Sequence, residues 1–194
     1  KRNNTYTFTV KAYRTTGGVT YNGTYTAKTL KISNKYKIEK KNGITYIDGV
    51  LIANKSYRLP SNYNPGLTAE TKNAFAKMQQ DAKNDGIYIW ITSGFRSYSY
   101  QAQLYQSYVY RDGQAAADRY AARAGYSEHQ TGLALDVNNA SYYFDNSKEA
   151  KWVAANCWKY GFILRYPQGK EHITGYQYES WHIRYVGNLS LIHH

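Results

Sequence analysis

Residues 127–136 read SEHQTGLALD and set a histidine, His129, and an aspartate, Asp136, seven residues apart. Apolar residues at positions 133, 135 and 137 alternate with small residues at 132 and 134, so a strand is predicted that ends beside Asp136. Small neighbours leave room for a metal ion and its ligands, and a bend before Gly132 would bring His129 to the same point. The stretch therefore predicts two ligands of a metal site at the mouth of a strand.

A third ligand and a general base are expected from the segment Tyr178–Gly187, most of which consists of strand-forming residues. A catalytic zinc commonly takes three ligands from His, Asp or Glu and keeps a position for water. His182 is the best third ligand, because Glu179 stands three residues before it and is suited to take a proton from that water. The other histidines are weaker candidates: they lie in a polar loop or end the chain, and are His172, His193 and His194.

Three segments are predicted along the chain. Residues 1–33 alternate as in a β-hairpin with a turn at Gly17-Gly18, and resemble the last two strands of a fibronectin-type-III-like module. Residues 34–42 are rich in lysine and are predicted to be a linker. Residues 43–190 are predicted to form the zinc-binding catalytic domain.

Helices and strands mix in the third segment without a regular βαβ repeat. This pattern predicts an α+β fold, an antiparallel sheet with flanking helices. The predicted elements are a helix capped by Thr68 and running to about Asn84, a strand Ile87–Thr92, helices from about Ser99 to Tyr110 and Gln114 to Ala124, a helix capped by Ser147 and running to Tyr160, a strand Phe162–Tyr166, and a last strand from Trp181.

The charge balance predicts an anionic partner. Twenty-five Lys and Arg against thirteen Asp and Glu give a net charge of +12. The basic residues are scattered and no nucleic-acid-binding motif occurs among them, so we expect no nucleic acid. An anionic cell-wall polymer such as teichoic acid is an alternative partner, and a charge that only maintains solubility is another.

The single cysteine, Cys157, excludes an internal disulfide and any zinc site built from several cysteines. Its apolar neighbours predict a small buried side chain on a helix face, not a nucleophile. No run of residues approaches the length of a membrane span, and no signal peptide begins the sequence. If the protein is exported, we therefore expect its signal to lie outside this sequence.

The two metal-site motifs carry a family resemblance. The pattern S-x-H-x-x-G-x-A-x-D at residues 127–136, followed by E-x-W-H at residues 179–182, resembles the paired signature of the zinc D-alanyl-D-alanine carboxypeptidases of the VanY type, related to the VanX dipeptidases. The loop SGFRS at residues 93–97 and the downstream Gln101 are similar as well. The resemblance covers residues 45–188, and the family also contains L,D-carboxypeptidases.

The resemblance implies a fold, a cofactor and a set of site residues. The fold would be a DD-peptidase or hedgehog-like catalytic domain, and the cofactor one Zn²⁺ per chain. Arg96 would pair with a substrate carboxylate or the developing oxyanion. The implied site comprises the zinc ligands His129, Asp136 and His182, the general base Glu179, and the substrate-binding residues Arg96, Gln101 and Ser127.

The function implied is removal of a C-terminal D-alanine from peptidoglycan stem peptides, by cleavage of a D,D or an L,D bond. We expect a monomer that is extracellular or associated with the wall of a Gram-positive bacterium. An endopeptidase of the lysin type is an alternative. Another is a noncatalytic wall-binding protein with a structural zinc, which predicts four protein ligands where the sequence offers three. Simple structural roles also remain open: a helix cap for Ser127 and a helix-surface position for Gln101.

Overall fold

The computed structural model describes residues 5–16, 19–31 and 36–187, and the chain divides into two compact units between Ile38 and Glu39. In the first unit, strands β1 (Thr5–Thr16) and β2 (Val19–Lys31) pair antiparallel, with an irregularity in register between Lys11 and Tyr13. The β-hairpin is therefore confirmed. Its predicted glycine turn lies outside the described residues, and its membership in a fibronectin-like module stays a prediction.

The second unit mixes short strands with helices, and its first strand begins at the boundary residue Ile38. In chain order its elements are β3 (Ile38–Lys41), β4 (Ile44–Ile47), β5 (Val50–Ile52), α1 (Ala69–Asn84), β6 (Ile91–Ser93), α2 (Tyr98–Asp112), α3 (Gln114–Tyr120), a 3-10 helix (Glu128–Thr131), β7 (Ala134–Val137), α4 (Lys148–Asn156), a second 3-10 helix (Cys157–Tyr160), β8 (Phe162–Tyr166), α5 (Glu171–Thr174) and β9 (Glu179–Tyr185). No helix among the described residues is long and apolar enough to cross a membrane.

Two antiparallel sheets organise this unit. Strands β3, β4 and β5 form one in that order, and the other has the order β6-β7-β9-β8. One face of the four-stranded sheet, with Leu135 and Ile183, packs in the core with Phe75 and Met78 of α1 and Val153 of α4. The predicted α+β class with an antiparallel sheet and flanking helices is confirmed.

The helix starts follow from side-chain caps. The Thr68 hydroxyl accepts a hydrogen bond from Thr71 N, and the Ser147 hydroxyl accepts one from Ala150 N. Each cap satisfies an amide in the first turn that has no partner within the helix. Both predicted caps are confirmed, and α1 ends at Asn84 as expected.

Several predicted boundaries are wrong. Strand β6 begins at Ile91 and not at the predicted Ile87. Before it, the side-chain amide of Asn138 accepts a hydrogen bond from Trp90 N and donates one to Tyr88 O, where a neighbouring strand would otherwise supply backbone partners. Helix α3 stops at Tyr120 instead of Ala124, since Ala121 is already extended. The predicted helix to Tyr160 tightens into a 3-10 helix after Asn156, and part of the predicted linker forms β3.

Gly132 shapes the turn between the first 3-10 helix and β7. Its φ is +70°, and a Cβ added there would overlap the carbonyl oxygen of Gly66. Its own carbonyl accepts a hydrogen bond from Thr68 N at 3.1 Å. Only glycine combines this backbone conformation with so close an approach. The bend expected before Gly132 is therefore present, and it places His129 at the head of β7.

Candidate metal centre and active-site groove

The structure brings together the three residues predicted as metal ligands. In the register of β7 and β9, Asp136 is the direct partner of His182, and the 3-10 helix adds His129. One nitrogen or oxygen atom from each residue lies within 4.8 Å of the others, and all three side chains are buried. The cluster lies on the sheet face opposite Leu135 and Ile183, because neighbouring residues of a strand point to opposite sides.

Each histidine is oriented by a partner on its far nitrogen. His129 Nδ1 lies 2.6 Å from the carbonyl oxygen of Gly94, which can only accept, so Nδ1 carries the proton. His182 Nε2 lies 3.3 Å from Glu128 Oε2. The opposite nitrogens, Nε2 of His129 and Nδ1 of His182, face the Asp136 carboxylate at 3.3 and 3.2 Å. This is the arrangement in which metal-binding histidines are commonly held.

The donor set fits a divalent metal such as zinc. Two imidazole nitrogens and a carboxylate oxygen are a common ligand set for catalytic zinc. Asp136 Oδ1 is buried and has no hydrogen bond from the described residues, although His182 Nδ1 lies 3.2 Å away. A buried carboxylate oxygen without a donor is costly unless a cation neutralises it. The described cluster could therefore hold a metal ion through His129, Asp136 and His182.

The charges of the cluster are tightly linked. Burial alone would raise the pKa of Asp136, but the two histidines hold it well below its ordinary value. Burial lowers the pKa of His129. Burial would also lower the pKa of His182, but the neighbouring Asp136 and Glu128 carboxylates raise it to about 9. Asp136 is thus an anion at neutral pH, as a metal ligand must be.

Glu179 stands beside this cluster at the start of β9. Its Oε2 lies 3.6 Å from His182 Nδ1, and the residue is 8% exposed. Burial raises the pKa of its carboxyl to about 7. A carboxyl group with a pKa near neutrality can both take and return a proton, which is what a general base and acid requires.

Arg96 reaches the cluster from the loop after β6. Its guanidinium donates to Asp136 Oδ2 at 2.6 Å, and the same nitrogen lies 2.9 Å from His129 Nε2. Nε donates to Ser93 Oγ at 3.0 Å and Nη1 to Gln101 Oε1 at 3.3 Å. The side chain is therefore fixed on several sides, with its positive charge directed at the candidate ligands.

Gln101 lies beside Arg96 and Ser127 beside His129, and each has a partner within the protein. The Gln101 amide accepts from Arg96 and donates to the Ala122 carbonyl at 2.7 Å. The Ser127 hydroxyl oxygen accepts from His129 N at 3.3 Å and caps the 3-10 helix. The structure thus gives both residues a supporting role, for Arg96 and for His129, and their predicted contact with substrate stays a prediction.

A groove of about 720 Å³ opens over the cluster. Cationic, anionic and phenolic side chains line it, so its walls offer charged and hydrogen-bonding groups to a ligand. Its walls include Arg96, Arg111, Tyr108, Tyr120, Tyr142, Asp145, Tyr166, Glu171, Tyr176 and Tyr178. Some of the many tyrosines of the chain therefore form the walls of the groove.

Sequence reasoning missed a buried ion cluster behind the site. Glu128 lies between Arg165 and Arg184 and contacts His182. Strand alternation could have shown that Arg184 shares a face with His182, two residues away. The position of Glu128 carried no such signal, because it lies in the 3-10 helix. Of the weaker histidines, His172 lies in α5 outside the cluster, and the two at the chain end lie outside the described residues.

Comparison with known proteins agrees with these motifs. A model of the VanY family, described as D-alanyl-D-alanine carboxypeptidase, matches residues 64–188. The chain belongs to the VanY family. A D-alanyl-D-alanine carboxypeptidase of Enterococcus faecium is 37% identical over 175 residues, which is 87% of this chain and 54% of that protein. The chain spans between 54% and 66% of the length of the first two curated relatives it matches.

Solved structures of the family share the fold. The L,D-carboxypeptidase DacB from Streptococcus pneumoniae matches with a TM-score of 0.74 and 43% identity, over 81% of this chain and 89% of that one. A variant of the vancomycin-resistance D,D-pentapeptidase VanY from a VanB-type cassette, in complex with Zn(II), matches with a TM-score of 0.64 and 29% identity, over 71% of this chain and 88% of that one. The predicted DD-peptidase type of catalytic domain is confirmed.

Proposed function

We propose that this VanY-family chain is a zinc-dependent carboxypeptidase that removes a C-terminal D-alanine from peptidoglycan stem peptides. The observation that carries the proposal is the convergence of His129, Asp136 and His182 with Glu179 on the floor of one groove. The names of the relatives and the Zn(II) complex of a family member support it.

The three buried ligands would hold the metal in a site with room for water and substrate. When bound, zinc lowers the pKa of a water molecule towards neutrality and polarises the scissile carbonyl. The cluster of His129, Asp136 and His182 leaves Glu179 outside the ligand set, with its Oε2 3.6 Å from His182 Nδ1. Three protein ligands are typical of a catalytic zinc site, whereas a structural zinc would need a fourth protein ligand.

Glu179 is proposed as the proton carrier of the reaction. Its carboxylate accepts a proton from the water whose oxygen adds to the scissile carbonyl carbon. The same carboxyl group then gives that proton to the departing amine as the carbon–nitrogen bond breaks. Its buried position and a pKa raised to about 7 suit both steps.

Arg96 is proposed to stabilise negative charge on the substrate. Its guanidinium is held by Ser93 and Gln101 and is directed into the groove. In that position it can pair with the carbonyl oxygen as charge develops there, or with the free terminal carboxylate of the peptide. A site for a free carboxylate favours a carboxypeptidase over an endopeptidase of the lysin type, whose substrate continues beyond the cut.

We propose L,D cleavage as the first to test, because the L,D-carboxypeptidase DacB is 43% identical to this chain and the D,D-pentapeptidase VanY 29% identical. Because the proposed substrate is part of the bacterial cell wall, we propose that the protein acts outside the cell. The charge of +12 suits an anionic wall polymer as an additional partner.

In the decisive experiment, the zinc-loaded protein is incubated with purified muropeptides that bear tetrapeptide or pentapeptide stems. The products are then identified by mass spectrometry. Loss of one alanine from the tetrapeptide shows L,D cleavage, and loss from the pentapeptide shows D,D cleavage. Cleavage within the stem would support the endopeptidase. An intact substrate in both reactions, with zinc bound, would overturn the carboxypeptidase proposal.

A further inference from the structure

Glu128 is a buried carboxylate that the proposed reaction does not use. It is 5% exposed, and its two oxygens have different partners. Oε1 accepts from Arg165 Nε at 2.8 Å and from Arg184 Nη1 at 3.2 Å, whereas Oε2 lies 3.3 Å from His182 Nε2. One oxygen thus faces two arginines and the other faces the ring of a candidate ligand.

The arginines anchor this carboxylate to the scaffold. Arg184 is 3% exposed, and it also donates to the carbonyl oxygens of Leu51 at 2.8 Å and Tyr185 at 3.1 Å. A buried carboxylate is costly unless opposite charges and hydrogen bonds compensate it. Arg165 on β8 and Arg184 on β9 provide that compensation and hold Glu128 in place.

A fixed carboxylate determines how His182 can bind a metal. In the neutral ring that a metal binds, acceptance of a hydrogen bond from Nε2–H keeps the proton on that nitrogen, and Nδ1, which lies 3.2 Å from Asp136 Oδ1, is then available as the metal-binding atom. The negative charge also increases the basicity of the ring. The ring is further confined by Tyr166, whose centroid lies 4.7 Å away.

We propose that Glu128, held by Arg165 and Arg184, is a positioning residue that presents Nδ1 of His182 to the metal. The inference rests on the proposed function, since it requires that His182 bind zinc. It assigns a role to the residue between Ser127 and His129 in the motif, and connects the metal site to the two arginines behind it, of which Arg184 is buried and Arg165 half-buried.

The test measures zinc affinity by competition with a chelator of known affinity. Glu128→Gln retains the shape of the side chain and removes its charge, and we expect zinc binding about 10- to 100-fold weaker. Glu70→Gln makes the same chemical change at an exposed position in the first turn of α1, and should leave the affinity unchanged. Arg165→Gln disturbs the ion cluster without removing the carboxylate, and should weaken zinc binding less than Glu128→Gln does.

A second readout separates positioning from mere stability. In ¹H–¹⁵N spectra of the zinc-loaded protein, the Nε2–H of His182 should give a downfield signal that moves upfield in Glu128→Gln. Urea unfolding of the metal-free proteins reports stability independently, and only variants that fold without zinc are compared. Suppose that Arg165→Gln and Glu128→Gln lose the same free energy of unfolding. If Arg165→Gln then binds zinc more tightly than Glu128→Gln does, loss of stability does not explain the weaker zinc binding of Glu128→Gln.

The results distinguish the two proposals. Wild-type affinity and an unmoved His182 signal in folded Glu128→Gln would overturn the role of Glu128 and leave the proposed function intact. A wild-type protein that binds no zinc would overturn both. If Glu128→Gln does not fold, Glu128→Asp, which keeps the charge but shortens the side chain, should fold and still show weakened zinc binding. Unchanged affinity in that variant would contradict the proposal.

Discussion

Arg96 contacts two of the three candidate metal ligands with a single nitrogen atom: Nη2 lies 2.6 Å from Asp136 Oδ2 and 2.9 Å from His129 Nε2. The guanidinium therefore contributes positive charge to the point where the ligand atoms converge. A cation there attracts the substrate anion but also competes with a metal for the same donor atoms.

Replacement of Arg96 by Gln should separate these two effects. Turnover should fall on the order of 10²–10³-fold, because the group that stabilises developing charge is lost. Zinc affinity should be retained or increased, because a competing cation is removed. Steady-state kinetics on the cleaved muropeptide and chelator competition measure the two quantities. Unchanged turnover with normal zinc content would contradict the role of Arg96.

Replacement of Glu179 by Gln should abolish turnover while zinc remains bound. The amide has nearly the same shape but cannot accept the proton, so we expect a loss on the order of 10²–10⁴-fold in kcat. Zinc content by elemental analysis is the control, because Glu179 is not among the three candidate ligands. Full activity in the zinc-loaded variant would show that another group is the base.

Removal of the metal should destabilise the second unit reversibly. Bound zinc stabilises the folded state by about 2.7 kcal/mol when free zinc is about a hundredfold above its Kd. For a protein of this size each kcal/mol shifts the melting temperature by about 2–4 °C. Differential scanning calorimetry after dialysis against a chelator, and again after readdition of zinc, measures the shift. Readdition of magnesium is the control and should not restore it.

Replacement of Gly132 by Ala should destabilise the fold more than the same change at Gly86. Both glycines have positive φ, +70° and +74°, so each substitution carries a conformational cost of about 1–2 kcal/mol. At Gly132 the new Cβ also meets the Gly66 carbonyl, whereas at Gly86 nothing lies within 4 Å. We expect a further 1–3 kcal/mol or so at Gly132. Urea unfolding of both variants measures the difference, and equal losses would contradict the close contact.

Cys157 should be inert in the folded protein. Its thiol is buried, and burial raises its pKa to about 12. Because alkylating reagents attack the thiolate, iodoacetamide at about pH 8 should modify this residue only after denaturation. Mass spectrometry of native and denatured samples makes the comparison. Rapid labelling of the native protein would contradict the expected burial.

The elements were predictable where the signal is local. Thr68 and Ser147 act as helix caps within their own first turns, and the alternation around Leu135 describes a strand wherever it pairs. The predicted start of β6 was wrong because a residue distant in the sequence hydrogen-bonds to the backbone there. Asn138 bonds the backbone of Tyr88 and Trp90, and no pattern within residues 87–92 reveals that competition.

The sequence by itself determined the candidate ligands and base, because their residue types and their spacing within residues 127–136 and 179–182 can be recognised inside two short segments. Only the tertiary structure decided how these groups meet. The register of β7 and β9 sets Asp136 opposite His182, and Gly94 and Glu128 orient the two histidine rings. These contacts depend on packing between residues far apart in the chain, which sequence spacing does not encode.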